Sequence, residues 1–145
     1  MRIFDDMKKF FTIAMLMLAL VACRDQVQQV SGSYSYKISG KATVNGISRN
    51  LSDEIGTLDI IHKTDSTALL TFNAMGGSVY YTNAKIKDKN IDMEVFSRRI
   101  TQSIGEYDVQ VIGSGKIYDG TIIFDLMYIG SSLKADNLVM VCKRN

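Results

Sequence analysis

From residue 32 onward the apolar positions of the chain recur every second residue rather than every third or fourth. Tyr34, Tyr36, Ile38, Gly40, Ala42 and Val44 alternate with Ser33, Ser35, Lys37, Ser39, Lys41 and Thr43. Successive strand side chains point to opposite faces, so this pattern predicts one long strand with a single buried face. Similar runs follow at 57–63, 67–74, 78–87, 90–102, 106–118, 121–129 and 137–143, which with 32–44 predicts eight strands. The connectors are short and carry turn chemistry: Asn45-Gly46, Thr64-Asp65-Ser66, Gly76-Gly77, Asp88-Lys89, Ser103-Ile104-Gly105 and Asp119-Gly120. Asp119-Gly120, set between Ile117-Tyr118 and Thr121-Ile122, is the strongest hairpin signal. One segment, 46–56, reads equally as a short strand, a loop, or a turn of helix beginning at Ser52 with Asp53 and Glu54 in its first turn.

Consecutive hairpins make sequence neighbours pair in space. The predicted fold is therefore all-β, an antiparallel up-and-down meander. Closing it into a roughly eight-stranded barrel removes the two edges that an open sheet would expose. The alternative is a β-sandwich, which needs a longer crossing connection, for which 46–56 is the best candidate. The chain has no proline to interrupt a ladder. An eight-stranded barrel either fills its lumen with side chains or holds one small ligand.

The first 22 residues follow a different pattern. Lys8 and Lys9 precede an apolar run at 10–22 whose only hydroxyl is Thr12. At about 1.5 Å per residue the run spans about 20 Å, short of the roughly 30 Å hydrocarbon core, so it reads as an export signal rather than a permanent span. Met7 is itself a plausible start for such a signal. The run ends in Leu20-Val21-Ala22-Cys23, which resembles the lipobox of bacterial lipoproteins. The resemblance implies cleavage between Ala22 and Cys23, a diacylglyceryl group on the Cys23 thiol, acylation of the new amino terminus, and hence a membrane partner held by lipid. The alternative is a secretory signal cleaved near an unrelated cysteine. Residues 23–31 then form a lipidated cysteine and polar tether, and 32–145 the folded domain. Arg24 follows the cysteine, and Arg24-Asp25-Gln26 holds a single carboxylate. This favours the outer membrane facing the periplasm over surface display.

Composition refines this picture. A chain of 145 residues with 46% apolar content makes one domain with an ordinary core. Seventeen basic residues against fifteen acidic ones leave a net charge of +2, too little for the basic face that a nucleic-acid partner requires. With Cys23 lipidated, Cys142 has no disulfide partner. Its neighbours Leu138, Val139, Met140 and Val141 mark it as a buried strand thiol.

The mature chain over about residues 30–145 resembles the calycin-like, lipocalin-like β-barrel lipoproteins common in Bacteroidetes. The likeness is carried by Val30-Ser31-Gly32-Ser33-Tyr34-Ser35-Tyr36 after the lipobox. It is carried also by Val111-Ile112-Gly113-Ser114-Gly115-Lys116-Ile117-Tyr118-Asp119-Gly120-Thr121-Ile122-Ile123-Phe124-Asp125. It implies a barrel and supplies no catalytic residue and no cofactor. True lipocalins carry Gly-X-Trp near the first strand, whereas this chain has no tryptophan.

Few residues offer chemistry. His62 is the only histidine, a ligand donor at a barrel mouth or simply a strand-end residue near solvent. A zinc site of the usual His and Cys ligands cannot be assembled around it. Continuing the alternation of Ile91, Met93, Val95 and Ser97 points Arg99 inward, where its planar fork suits the carboxylate of an acidic head group or a closing Asp or Glu. Tyr34 and Tyr36, on the inner face of the first strand, are suited to line a cavity while offering hydroxyls. Glu94, Glu106, Asp108 and Asp125 form no recognisable catalytic pair. Gly113-Ser114-Gly115 lacks the Gly-X-Ser-X-Gly elbow and reads as a barrel bend. The expected protein is therefore no enzyme but an anchored barrel. It binds a small amphiphilic or apolar ligand in its lumen through Tyr34, Tyr36, His62 and Arg99, or, with a packed lumen, acts through its outer surface as a structural or interaction protein. An open lumen containing Arg99 or His62 favours the first, a filled one the second.

Overall fold

The computed structural model describes residues 2–23 and 26–145. Helix α1 (Arg2–Cys23) covers the predicted signal, with Met7, Phe10, Phe11, Ile13 and Met15 exposed. Among the described residues no helix is long and apolar enough to cross a membrane, a statement that concerns helices alone. The Cys23 side chain, where the lipid is expected, lies outside what is described, as do tether residues Arg24 and Asp25.

Eleven strands follow in one antiparallel sheet: β1 (Gly32–Ser39), β2 (Lys41–Val44), β3 (Ile47–Asn50), β4 (Glu54–Thr64), β5 (Thr67–Ala74), β6 (Val79–Lys87), β7 (Asn90–Met93), β8 (Phe96–Gln102), β9 (Gly105–Tyr118), β10 (Thr121–Ile129) and β11 (Leu133–Arg144). β1 pairs with β4 on one side and β11 on the other, which closes β1, β4, β5, β6, β7, β9, β10 and β11 into an eight-stranded barrel. β2, β3 and β8 extend one end of it. The predicted first strand breaks at Gly40, which adopts φ +152° and lies so close to Leu138 that an added Cβ would stand 2.7 Å from its Cδ2. Beyond the break the chain changes partners, β2 pairing with β3 and with the start of β11.

The predicted strand 90–102 also breaks, into β7 and β8 at Glu94-Val95. Glu94 is held from β6, its N–H donating to the Asn83 carbonyl (2.8 Å) and its carbonyl accepting from Thr82 Oγ1 (2.9 Å). Two residues stand between Met93 and Phe96 where alternation allows one, and this single extra residue reverses the faces. Ile91 and Met93 face the core, Val95 is exposed, and Phe96, Arg98 and Ile100 turn inward.

The barrel has two dissimilar ends. At the end where β1 begins, residues 26–30 form a single helical turn, α2 (Gln26–Val30), whose Val27 and Val30 are buried in the core. The chain here is thus a docked plug, not a polar tether, because valines three apart fall on one helical face. The Tyr34 hydroxyl donates to the Val30 carbonyl (2.7 Å). Arg144 lies over the Tyr34 ring (5.3 Å), donates to its hydroxyl (2.8 Å), and donates to the Gln29 carbonyl.

The inward residues fill the barrel. Gly113 and Gly115 face inward, and a Cβ on Gly115 would stand 2.6 Å from Phe124 and 2.9 Å from Ile91. These glycines leave room for large neighbours in an interior packed at near-crystalline density. Gly115→Ala is therefore expected to destabilise the barrel by about 1–3 kcal/mol through overpacking. Chemical denaturation should show a lower midpoint with an unchanged far-ultraviolet circular dichroism spectrum.

Candidate functional site

At the end away from α2, five strands bring polar side chains to the inner wall: Tyr36 from β1, Glu54 from the start of β4, Tyr80 from β6, Arg98 from β8 and Tyr128 from β10. Arg98 holds the Glu54 carboxylate with two parallel hydrogen bonds, Nη1 to Oε1 at 3.0 Å and Nη2 to Oε2 at 2.9 Å. The hydroxyls of Tyr80 (2.7 Å) and Tyr36 (2.9 Å) donate to the same Oε1. The guanidinium also donates to the Tyr80 hydroxyl at 2.6 Å and lies 3.9 Å above that ring. Tyr80 forms a mutually stacked cluster with Phe72 (4.8 Å) and Phe96 (5.7 Å), which are themselves 6.3 Å apart. The Arg98 side chain is 6% exposed and that of Glu54 21%. Arg98 Nε is buried with no hydrogen-bond partner.

The electrostatics follow from this arrangement. Burial pushes Glu54 towards the neutral form, but the hydrogen bond and charge of Arg98, with the two tyrosine hydroxyls, outweigh it and hold the carboxyl below its ordinary 4.5. Burial raises the Tyr36 and Tyr80 hydroxyls, and pushes Tyr128 up to about 12, so all three act as neutral hydroxyls. Burial disfavours the charge on Arg98, but Glu54 more than restores it.

A strap without regular structure, residues 51–53, crosses this mouth between β3 and β4. It is held by Leu51 N–H to the Gly40 carbonyl (3.0 Å) and by Ser52 N–H to Gln102 Oε1 (2.8 Å). Leu51 packs against the core. Beneath lie two voids of only about 10 Å³ each, one bordered by Arg98, Tyr80, Phe96 and Met140, the other by Leu51, Glu54, Ile100 and Leu138. Either is near the limit for a single water molecule. The larger concavities are on the outside. An open depression of about 520 Å³ adjoins α2 and includes Gln29, Tyr118 and Arg144, and a neighbour of about 670 Å³ includes Lys87, Asp92, Lys116 and Asp125.

The residues singled out from the sequence fall in different places. Tyr36 belongs to the mouth cluster. Tyr34 is equally buried but is committed to the plugged end. His62 is exposed at the end of β4, where an irregularity between His62 and Thr64 ends the regular pairing. Arg99 does not point inward. The reversal at Glu94-Val95 turns it out to solvent, where it pairs with Asp108 at 2.8 Å and approaches Glu106 at 3.7 Å. Its neighbour Arg98 takes the inner position. Cys142 is fully buried, and burial pushes its thiol up to about 12. Among the described residues no group of three or more His, Cys, Asp or Glu is arranged to hold a metal ion.

No protein-family model matches the chain, and no curated protein is similar to it. Solved structures are similar in fold. A barrel named EF1p2_mFAP2b, solved with DFHBI bound, superposes with TM-score 0.56 at 13% identity, over 85% of this chain and 98% of its own. The redesigned barrel mFAP1, also with DFHBI bound, gives 0.52 at 13% identity, over 82% and 98%. A candidate outer membrane protein of Bacteroides fragilis gives 0.51 at 14% identity, covering 83% of this chain but 53% of that one. At these identities the likeness is one of fold: this chain is a closed antiparallel β-barrel.

Two outcomes follow from the mouth cluster. Arg98→Ala takes the counter-charge from a carboxylate that is 21% exposed and should lower the denaturation midpoint, at a cost below the roughly 3–5 kcal/mol of a fully buried pair because Glu54 can turn to solvent, whereas Arg99→Ala should leave the midpoint unchanged. Because the folded Glu54 titrates below its unfolded value, its contribution is full above about pH 4.5 and disappears as pH falls through the lower folded value. Urea titrations across that range should show a shallower acid-side loss of stability in Glu54→Gln than in the wild type.

Proposed function

We propose that this protein is an envelope lipoprotein, anchored through lipid on Cys23 in the outer membrane and facing the periplasm, and that its barrel acts chiefly through its outer surface. The supporting observation is the filled interior. Two voids of about 10 Å³ stand against the roughly 300–1,000 Å³ of an ordinary ligand pocket. The lipobox residues Leu20-Val21-Ala22-Cys23 support the anchor. Only residues 24 and 25 separate Cys23 from α2, so that Cys23 lies at most about 11 Å of extended chain from Gln26. On this reading the plugged end of the barrel stands next to the bilayer, with the Glu54 mouth on the opposite side.

The mouth favours a second reading, a small ligand taken there rather than along an open lumen. Two of the barrels of similar fold were solved with DFHBI bound, which illustrates that such a frame accommodates a small molecule when side chains leave room for it.

Labelling cells with an alkyne fatty acid should mark the wild type and not Cys23→Ala, and Cys23→Ala should leave the membrane fraction. Native mass spectrometry of the extracted wild-type protein should give the lipidated chain alone. A co-extracted mass of several hundred daltons that survives activation would reverse the order of the two readings.

A further inference from the structure

Buried ion pairs are poor sources of stability, since desolvating both charges offsets most of their attraction. This pair is nevertheless surrounded by a complete receptor. Two guanidinium nitrogens and two tyrosine hydroxyls converge on one carboxylate. A fifth donor, Arg98 Nε, is buried, unpartnered and beside a void on the apolar side of the group. The carboxylate in the receptor arrives on the first residue of β4, directly after a strap without regular structure that is held by two hydrogen bonds and by the exposed Lys37–Asp53 ion pair (3.2 Å). An internal group delivered at the margin of an irregular segment, on a side chain that already meets solvent, is a group an external one can replace.

We propose that Arg98, Tyr80 and Tyr36 form a binding site for the carboxylate of a small amphiphilic acid, with Glu54 as its internal occupant and strap 51–53 as the lid. The inference rests on the second reading above. When the acid binds, its carboxylate takes the place of that of Glu54, which turns out to the solvent it already partly meets. The strap lifts, and the tail takes the space left by Leu51 against Ile100 and Leu138. Because the interior is close-packed, the tail is limited to about the volume that leaves, roughly six carbons for the Leu51 and Glu54 side chains together. A long-chain acid does not fit without unpacking the barrel. Glu54 competes at every encounter, so the wild type binds weakly and selectively for charge.

The test uses the full chain in zwitterionic nanodiscs, with empty discs as blank, and hexanoate as the probe, followed by calorimetry at neutral pH. Hexanoate should bind Glu54→Ala at least about tenfold more tightly than wild type, a difference of about 1.4 kcal/mol. Acetate and hexanol should each bind Glu54→Ala more weakly than hexanoate. Arg98→Met alone leaves Glu54 without its counter-charge, so the loss-of-site variant is Glu54→Gln with Arg98→Met, which removes both charges and should fold without binding hexanoate. Equal affinity of wild type and Glu54→Ala, or binding by the double variant, overturns the proposal. Equal binding of hexanol and hexanoate to Glu54→Ala also overturns it, while leaving the mouth as a pocket for uncharged molecules.

Discussion

Closure of the sheet is the constraint on which the rest of the structure depends. Once β1 pairs with both β4 and β11, no long edge of the barrel wall is left to template another chain. Every inward side chain then competes for one confined volume. Inward residues alternate with outward ones along each strand, so the parity of a strand decides its contribution to the interior. The buried positions of β9 and β10 follow that parity, and β11 follows it on either side of an irregularity at Asp136-Asn137; together they supply Val109, Val111, Ile122, Phe124, Leu126, Leu138 and Met140. Gly113 and Gly115 lie at inward positions of β9 where Met93, Leu126, Ile91 and Phe124 already occupy the space. The filled lumen is thus a consequence of large residues and glycines placed opposite one another.

The same constraint makes the reversal at Glu94-Val95 consequential. Continued alternation would have put Val95, Ser97 and Arg99 inside. With the bulge, Phe96, Arg98 and Ile100 go inside instead, and one full charge enters the barrel. A charge there is tolerable only with a partner of opposite sign and with its remaining polar atoms satisfied. Glu54 supplies the first, the Tyr80 hydroxyl accepts a further hydrogen bond, and Nε alone is left over. The stacking of Phe72, Tyr80 and Phe96 fixes the ring on which the guanidinium lies. Position, not strength, is what the pair contributes: it ties β4 to β8 across a mouth where β8 pairs with β9 alone.

Most of the frame was legible because a barrel wall is written in period two. The alternation in 32–39, the Asn45-Gly46 and Asp119-Gly120 turns and the absence of proline each correspond to a strand or hairpin now in place. The inner face of β8 was not legible from continued alternation, because one extra residue at Glu94-Val95 exchanges the faces without changing composition. Its trace in the sequence is the adjacency of Val95 and Phe96, two apolar residues where one was due, followed by Ile100 on the new phase. Plug α2 was masked by glutamines, although Val27 and Val30 have helical spacing. Arg98 and Glu54 are 44 residues apart in the chain, and nothing local announces a contact made by closure.

The two ends solve one problem with the same pair of residue types and different acceptors. A barrel end exposes its innermost residues unless something polar covers them, and an arginine on a tyrosine ring covers apolar surface with its stem while presenting donors outward. Beside α2, Arg144 lies on Tyr34 and spends a donor on a backbone carbonyl of Gln29, an acceptor fixed by a helical turn that docks through buried Val27 and Val30. At the other end Arg98 lies on Tyr80 and spends two donors on a side-chain carboxylate at the margin of an irregular strap. A backbone acceptor in a docked turn cannot leave without undocking Val27 and Val30. A carboxylate can leave by rotation about its own side chain, and its charge makes the site it vacates specific for another anion. The difference in acceptor therefore makes one end a seal and the other a place where exchange is possible, on a barrel whose wall and interior are otherwise fixed by packing.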